Sequence, residues 1–182
     1  MTDSDAVAQL KRGDLTGLEE LVTRYQDKAV RVVYLIVQDE PQAEDIVVDT
    51  FLRIAKHIQS FDDSQLFEPY LMRSLVNAAL NATRRQHISL DGGEASGRLE
   101  ELLTTAESLE DLVERNELRL ELQNAISSLS PRQRAVIVQR YYLGMNEEEM
   151  SAALDAPRGT VKWLLNRARQ NLGKMITKQK KD

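Results

Sequence analysis

Glu44, Asp45 and Asp49 place three carboxylates on neighbouring turns of what reads as one helix. Such a cluster has the makings of acid–base chemistry or of a site for a hard cation. No histidine or further carboxylate converges on it from nearby sequence, so a solvated or partner-facing helix edge accounts for it better. The two histidines, His57 and His87, stand far apart, and neither has a second His or a Cys at metal-ligand spacing. The chain has no cysteine, which removes thiolate nucleophiles, thiolate metal sites and disulfides together. No glycine-rich phosphate loop occurs. No catalytic residue, metal or cofactor is therefore expected, and an enzyme has no specific residue behind it.

A second concentration of chemistry lies at the far end. From Arg158 to Lys181 there is no acid, while Arg158, Lys162, Arg167, Arg169, Lys174, Lys178, Lys180 and Lys181 are basic, on a chain of net charge -5. Two readings stand: a polyanion-binding element, or a solvated helix with a disordered lysine tail. Between Ser89 and Glu110 the balance reverses, with Arg98 the only base against Asp91, Glu94, Glu100, Glu101, Glu107 and Glu110. Affinity for DNA grows with the phosphates a protein neutralises. A chain this acidic is expected to bind DNA weakly unless a partner holds it there.

The elements that position these groups read as helices throughout. Leu18, Leu21, Val22, Tyr25, Ala29, Val32, Val33 and Ile36 recur at helical spacing, which predicts a long amphipathic helix over 15–38. Asp39-Glu40-Pro41 breaks it, with Pro41 as the first residue of a second helix that carries Ala43 to Ile58. Ser60 to Gln65 is a polar loop, and Pro69 fits the first turn of a third helix ending near Arg85. A short helix before Gly13 completes a bundle. Asp91-Gly92-Gly93, Ser96 and Gly97 then mark a break. The expected organisation is all-α: a first helical domain over 1–87, a flexible acidic linker over 88–108 and a second helical domain over 109–182. No apolar run approaches the roughly 20 residues that span a bilayer. The polar, acidic N-terminus does not read as a signal peptide, and the chain is expected in the cytoplasm.

The second domain is sharply punctuated. A helix over 112–129 precedes Ser130-Pro131, an N-cap and a first-turn proline. A helix over 131–143 follows, with Gly144 as its stop. Asn146 caps a short helix to about Leu154, its acidic first turn matched to the helix dipole. Asp155-Ala156-Pro157 turns the chain into a last helix from Arg158. Two short helices joined by a tight turn, the second one basic, form a helix-turn-helix. Val161, Leu164 or Leu165, and Ala168 would pack inward. Arg158, Thr160, Lys162, Trp163, Asn166, Arg167 and Gln170 would present polar and basic groups to a major groove. A helical hairpin used for protein contacts is the plainer alternative.

At this point the residues resemble a known family. Leu129-Ser130-Pro131-Arg132-Gln133-Arg134-Ala135-Val136, then Arg140-Tyr141-Tyr142-Leu143-Gly144-Met145, Gly159-Thr160-Val161-Lys162 and Arg167-Ala168-Arg169 resemble region four of the extracytoplasmic-function (ECF) sigma factors. Tyr25-Gln26-Asp27, Ala43-Glu44-Asp45-Ile46 and Asp49-Thr50-Phe51-Leu52-Arg53, with Phe67 to Arg85, resemble region two. Two blocks in the right order are a specific match over nearly the whole chain.

The resemblance implies a subunit that binds core RNA polymerase and directs initiation at chosen promoters, under the control of an anti-sigma factor. It implies that Asp45, Asp49 and Arg53 dock on the polymerase. Asn77 and Asn81, with the loop Ser60 to Gln65, would capture a flipped base of the minus-ten element, and Arg73, Arg84 and Arg85 would grip phosphate. Arg158, Thr160, Lys162, Trp163, Asn166 and Arg167 would read the minus-thirty-five element, and Tyr141 to Leu143 would lie near the polymerase flap. Four positions depart from the family pattern. Val48 stands where Gln is usual, Tyr70 where Trp is common, Trp163-Leu164 replaces a small polar residue and an Arg, and Arg158 replaces an uncharged residue. The alternative within the resemblance is a sigma-like mimic that occupies an anti-sigma factor without directing transcription. A freestanding helix-turn-helix regulator leaves the first block unexplained.

Overall fold

The computed structural model describes residues 1–89 and 124–179, and the chain divides into two units, Met1–Leu90 and Asp91–Asp182. All regular structure among the described residues is helical. Most of the acidic linker expected over 88–108, and most of the helix expected over 112–129, lie outside the described residues.

The first unit opens with α1 (Asp3–Lys11), capped by a reciprocal pair in which the Thr2 hydroxyl accepts from the Asp5 amide and the Asp5 carboxylate accepts from the Thr2 amide. α1 lies very close to α2 (Thr16–Val37). A Cβ added at Gly17 would stand 2.2 Å from the Ala6 carbonyl oxygen, so only glycine fits there. Tyr25 and Arg24 of α2 both donate to Asp3, which fastens the start of α1. Burial, and then the bond to Asp3, push the Tyr25 hydroxyl well above the ordinary tyrosine value.

α2 ends at Gln38, which is left-handed (φ 63°) and donates its side-chain amide back to the carbonyls of Tyr34 and Leu35. α3 (Glu40–Lys56) starts one residue earlier than expected. Asp39 is its cap, accepting from the Gln42 amide at 2.8 Å, and Pro41 occupies the second helical position, where it still gives up no bond. The helix stops at Lys56, so Ile58 belongs to a short 3-10 turn, Ile58–Ser60. α4 (Phe67–Ser89) runs past Arg85 and into residues expected to be linker, because nothing from Arg84 to Ser89 breaks a helix. Leu21, Val32, Val33, Ile36, Leu71, Leu75 and Val76 fill the core between α2, α3 and α4.

The second unit is built around Leu129, Val136, Ile137, Met150, Val161, Leu164, Leu165 and Ala168. Residues 124–127 are helical and end in a turn. Arg134, 8% exposed, donates to the Leu129 carbonyl at 2.7 Å, and burial lowers its pKa. α5 (Pro131–Ile137) has the expected Ser130 cap, reciprocated by Gln133.

The helix expected over 131–143 forms as far as Tyr142 but is not α throughout: α5 gives way at Val138 to a wide π turn, Val138–Tyr142. A regular α continuation would carry Arg140 and Tyr141 onto the inward face of Val136 and Ile137. The widened turn keeps Val138 and Gln139 inside and turns Arg140 and both tyrosines outward. Gly144 then ends the segment with φ 67°. Asn146 caps α6 (Glu147–Leu154), accepting from the Glu148 and Glu149 amides. Asp155 turns the chain in left-handed conformation (φ 46°), and α7 (Arg158–Gln179) follows.

Candidate nucleic-acid interface

α6 and α7 form the helix-turn-helix. Its turn is closed by the Ser151 hydroxyl donating to the Ala156 carbonyl at 2.6 Å and the Ala156 amide donating to the Ser151 carbonyl at 3.1 Å. α7 buries Val161, Ala168 and both leucines, Leu164 and Leu165. Arg158, Thr160, Lys162, Trp163, Asn166, Arg167 and Gln170 are all exposed, so the residues chosen from sequence share the outward side. Trp163 is 62% exposed, a large apolar ring held out in water. Arg158 reaches Glu148 at 3.7 Å, but both side chains are well exposed and such a pair contributes little. At the π turn, Tyr141 is exposed and its hydroxyl accepts from the Arg169 side chain at 2.7 Å.

In the first unit the outer face of α3 presents Glu44, Asp45, Val48, Asp49, Leu52 and Arg53. Val48 and Leu52, 56% and 57% exposed, form an apolar step between the carboxylates. An exposed apolar stripe bordered by charge is the mark of a protein contact. Among the described residues no three His, Cys, Asp or Glu side chains gather at a metal-binding distance, and no helix is long and apolar enough to cross a membrane.

Between α3 and α4 lies a groove of about 300 Å³, lined by Thr50, Arg53, Ile54 and His57 from one helix and by Tyr70, Ser74, Asn77, Ala78 and Asn81 from the other. Asn77 and Asn81 are thus brought together, one turn apart. Arg73 is half-buried and Arg84 and Arg85 are exposed, but none of the three lines the groove.

The loop Ser60 to Gln65 does not line it either. Its Phe61 is buried and sets its ring edge-on to Tyr70, with centroids 5.0 Å apart, while a second edge contact to Phe67 spans 6.0 Å. Phe61 therefore supports the groove wall from behind, while Asp62 to Gln65 stay exposed. Asp62 organises the loop by accepting from the Ser64 amide at 2.9 Å, and that bond holds the Asp62 carboxyl below its ordinary range.

Arg53 and His57 were not grouped with the asparagines by sequence reading. The signal was present, because Thr50, Arg53, Ile54 and His57 follow helical three–four spacing. What lies across from that stripe depends on where α4 packs.

Residues 21–87 match the family model for Sigma-70 region 2, and residues 119–172 match that for Sigma-70, region 4. The ECF RNA polymerase sigma-E factor of Salmonella typhimurium is 30% identical over 97% of this chain and 95% of its own length. The ECF RNA polymerase sigma factor SigW of Bacillus subtilis is 28% identical over 93% and 94%. Among solved structures, RpoE of Bartonella quintana, in complex with the anti-sigma factor NepR, superimposes with a TM-score of 0.66 at 18% identity, over 87% of this chain and 96% of that one. CnrH, in complex with the cytosolic domain of CnrY, gives 0.64 at 21%, over 96% and 97%. At such identities the structures speak for the fold, and the sequence matches carry the family. The chain belongs to the ECF group of RNA polymerase sigma factors, the subunits that direct promoter-specific initiation of transcription.

Proposed function

We propose that this sigma factor divides its work among three surfaces. Asp45 and Asp49, with Val48 and Leu52 beside them on α3, dock on core polymerase. Asn77 and Asn81 take a base flipped out of the minus-ten element, with Tyr70 as a stacking surface, while Arg73, Arg84 and Arg85 hold backbone phosphate. Arg158, Thr160, Lys162, Trp163, Asn166 and Arg167 enter the major groove of the minus-thirty-five element. The observation that carries the reading is the division of α7, which buries Val161, Leu164, Leu165 and Ala168 and exposes every polar candidate on the other side.

The protein acts by binding alone, in the cytoplasm, without catalytic group, metal or cofactor. The domain roles follow the same plan, with 1–87 for polymerase and the minus-ten element, 88–108 as linker and 109–182 for the minus-thirty-five element. The solved relatives RpoE and CnrH were captured with NepR and CnrY, and NepR is named an anti-sigma factor. Control by an anti-sigma factor is inferred for this chain on that footing.

The test is anisotropy of labelled protein against core polymerase, followed by run-off transcription with the assembled holoenzyme. Sub-micromolar binding and promoter-dependent transcripts support the reading. Binding to an anti-sigma factor without transcripts would identify a mimic instead.

A further inference from the structure

We propose that Arg53 and His57 form a phosphate-holding wall of the groove between α3 and α4, so that Arg53 belongs to the DNA surface and not to the polymerase face. The inference rests on the reading of Asn77 and Asn81 as base-capturing residues and adds the half of the site that α3 supplies.

Four observations carry it. First, Arg53 and His57 line the same groove as the two asparagines, from the opposite helix. Second, among the described residues no carboxylate lines the groove, although the chain is acidic overall. Asp49 stands one turn from Arg53 on the outer face, but the two form no ion pair and Asp49 does not line the groove. The wall therefore carries a permanent cation without an acid, a place for an anion.

Third, the two aliphatic hydroxyls of the lining are already committed, Thr50 donating to the Ile46 carbonyl at 2.7 Å and Ser74 to the Tyr70 carbonyl at 2.9 Å. Among the described residues the side chains of Arg53, His57, Asn77 and Asn81 have no hydrogen-bond or ion-pair partner. The donors left for a ligand are therefore one guanidinium, one imidazole, two carboxamides and the Tyr70 phenol, whose ring also borders the groove. Fourth, His57 is the C-cap of α3, one turn beyond Arg53, so its imidazole adds a ring N–H donor to the same wall of the groove.

A guanidinium pairs with phosphate through a planar fork, whereas carboxamides match the donor and acceptor pattern of a base edge. The groove is at the small end of ligand pockets, sized for one nucleotide unit and not for a duplex. The chemistry it selects is a single extruded nucleotide, phosphate toward α3 and base toward α4.

The experiment uses holoenzyme assembled from core polymerase and the full chain, with R53A, H57A and N77A variants. The probe is a labelled single strand, chosen by selection from a randomised pool with wild-type holoenzyme. Its affinity is followed from about 50 to 200 mM salt, with core affinity and thermal unfolding measured alongside. R53A is expected to weaken strand binding roughly tenfold and to make the log–log salt slope shallower by about 0.7. H57A is expected to weaken strand binding too, and both variants should bind core normally. Loss of core affinity in R53A with an unchanged salt slope would return Arg53 to the polymerase face and overturn the proposal. If N77A weakens strand binding while R53A and H57A do not, this inference falls alone. If N77A also has no effect, the base-capture reading falls with it.

Discussion

The Lys11 ammonium donates to the Phe61 carbonyl at 2.9 Å, so the end of the first helix holds the very residue whose ring supports the groove. The same ammonium pairs with Asp63 at 2.7 Å, and Gln59 returns a bond to the Lys11 carbonyl at 2.5 Å. Lys11, Phe61 and Tyr70 thus form a chain of contacts from α1 to the wall of the proposed DNA site.

Lys11→Met should free the loop at a cost of about 1 kcal/mol, since one partner is a carbonyl and the other an exposed carboxylate. Faster amide exchange from Asp62 to Leu66, with a severalfold loss of single-strand capture and unchanged minus-thirty-five binding, is the expected pattern. Unchanged exchange in that loop would show that the bonds do not restrain it.

Gly17→Ala should force α1 away from α2, because its Cβ would fall 2.2 Å from backbone oxygen, which cannot rotate aside. Overpacking of this kind costs about 1–3 kcal/mol. Gly159→Ala is the control, since a Cβ there meets nothing within 4 Å. The sole tryptophan lies in the second unit, so indole fluorescence is blind to this event. Thermal unfolding followed by circular dichroism is the suitable measurement, with a lower first transition for the Gly17 variant only.

Caps and stops were the most legible part of the fold. Ser130, Asn146 and Gly144 end or begin elements where local chemistry alone demands it. Asp39 did the same, and its neighbour Pro41 misled by one residue because proline is tolerated anywhere in a first turn. The outward side of α7 could be read from spacing alone. Three features could not. Phe61 sits in a stretch polar enough to pass for a plain loop, and its burial depends on Phe67 and Tyr70 arriving beside it. The π turn depends on the core's need to keep Arg140 and Tyr141 out. The position of Arg53 on the groove depends on α4, which lies across from it in space and well downstream in sequence.

Gln139→Leu should stabilise the second unit. Gln139 is fully buried, and among the described residues neither its amide nitrogen nor its carbonyl oxygen has a partner. Replacing an unsatisfied buried amide by an apolar side chain of similar size is expected to raise stability by about 1–3 kcal/mol. Chemical unfolding of the full chain, read at region four by hydrogen exchange, checks this. A less stable variant would mean that the π turn needs the amide.

Lys162→Ala with Arg167→Ala should weaken minus-thirty-five binding across all sequences and flatten its salt dependence, while polymerase binding stays intact. Trp163→Ala should act differently, shifting which bases are preferred at one or two positions with little change in salt slope. Selection from randomised upstream sequence distinguishes the two. Equal loss of polymerase and promoter binding would place these side chains outside the groove.

The turn before α7 makes its left-handed step at Asp155, not at glycine. A side-chain-bearing residue has a narrow basin in that region, where glycine would roam. The recognition helix is consequently delivered at a set inclination, with little compliance of its own. A rigid probe meeting an imperfect site must leave the adjustment to the duplex. Promoters would then be ranked in part by how cheaply their base steps bend and twist, at positions no side chain reaches.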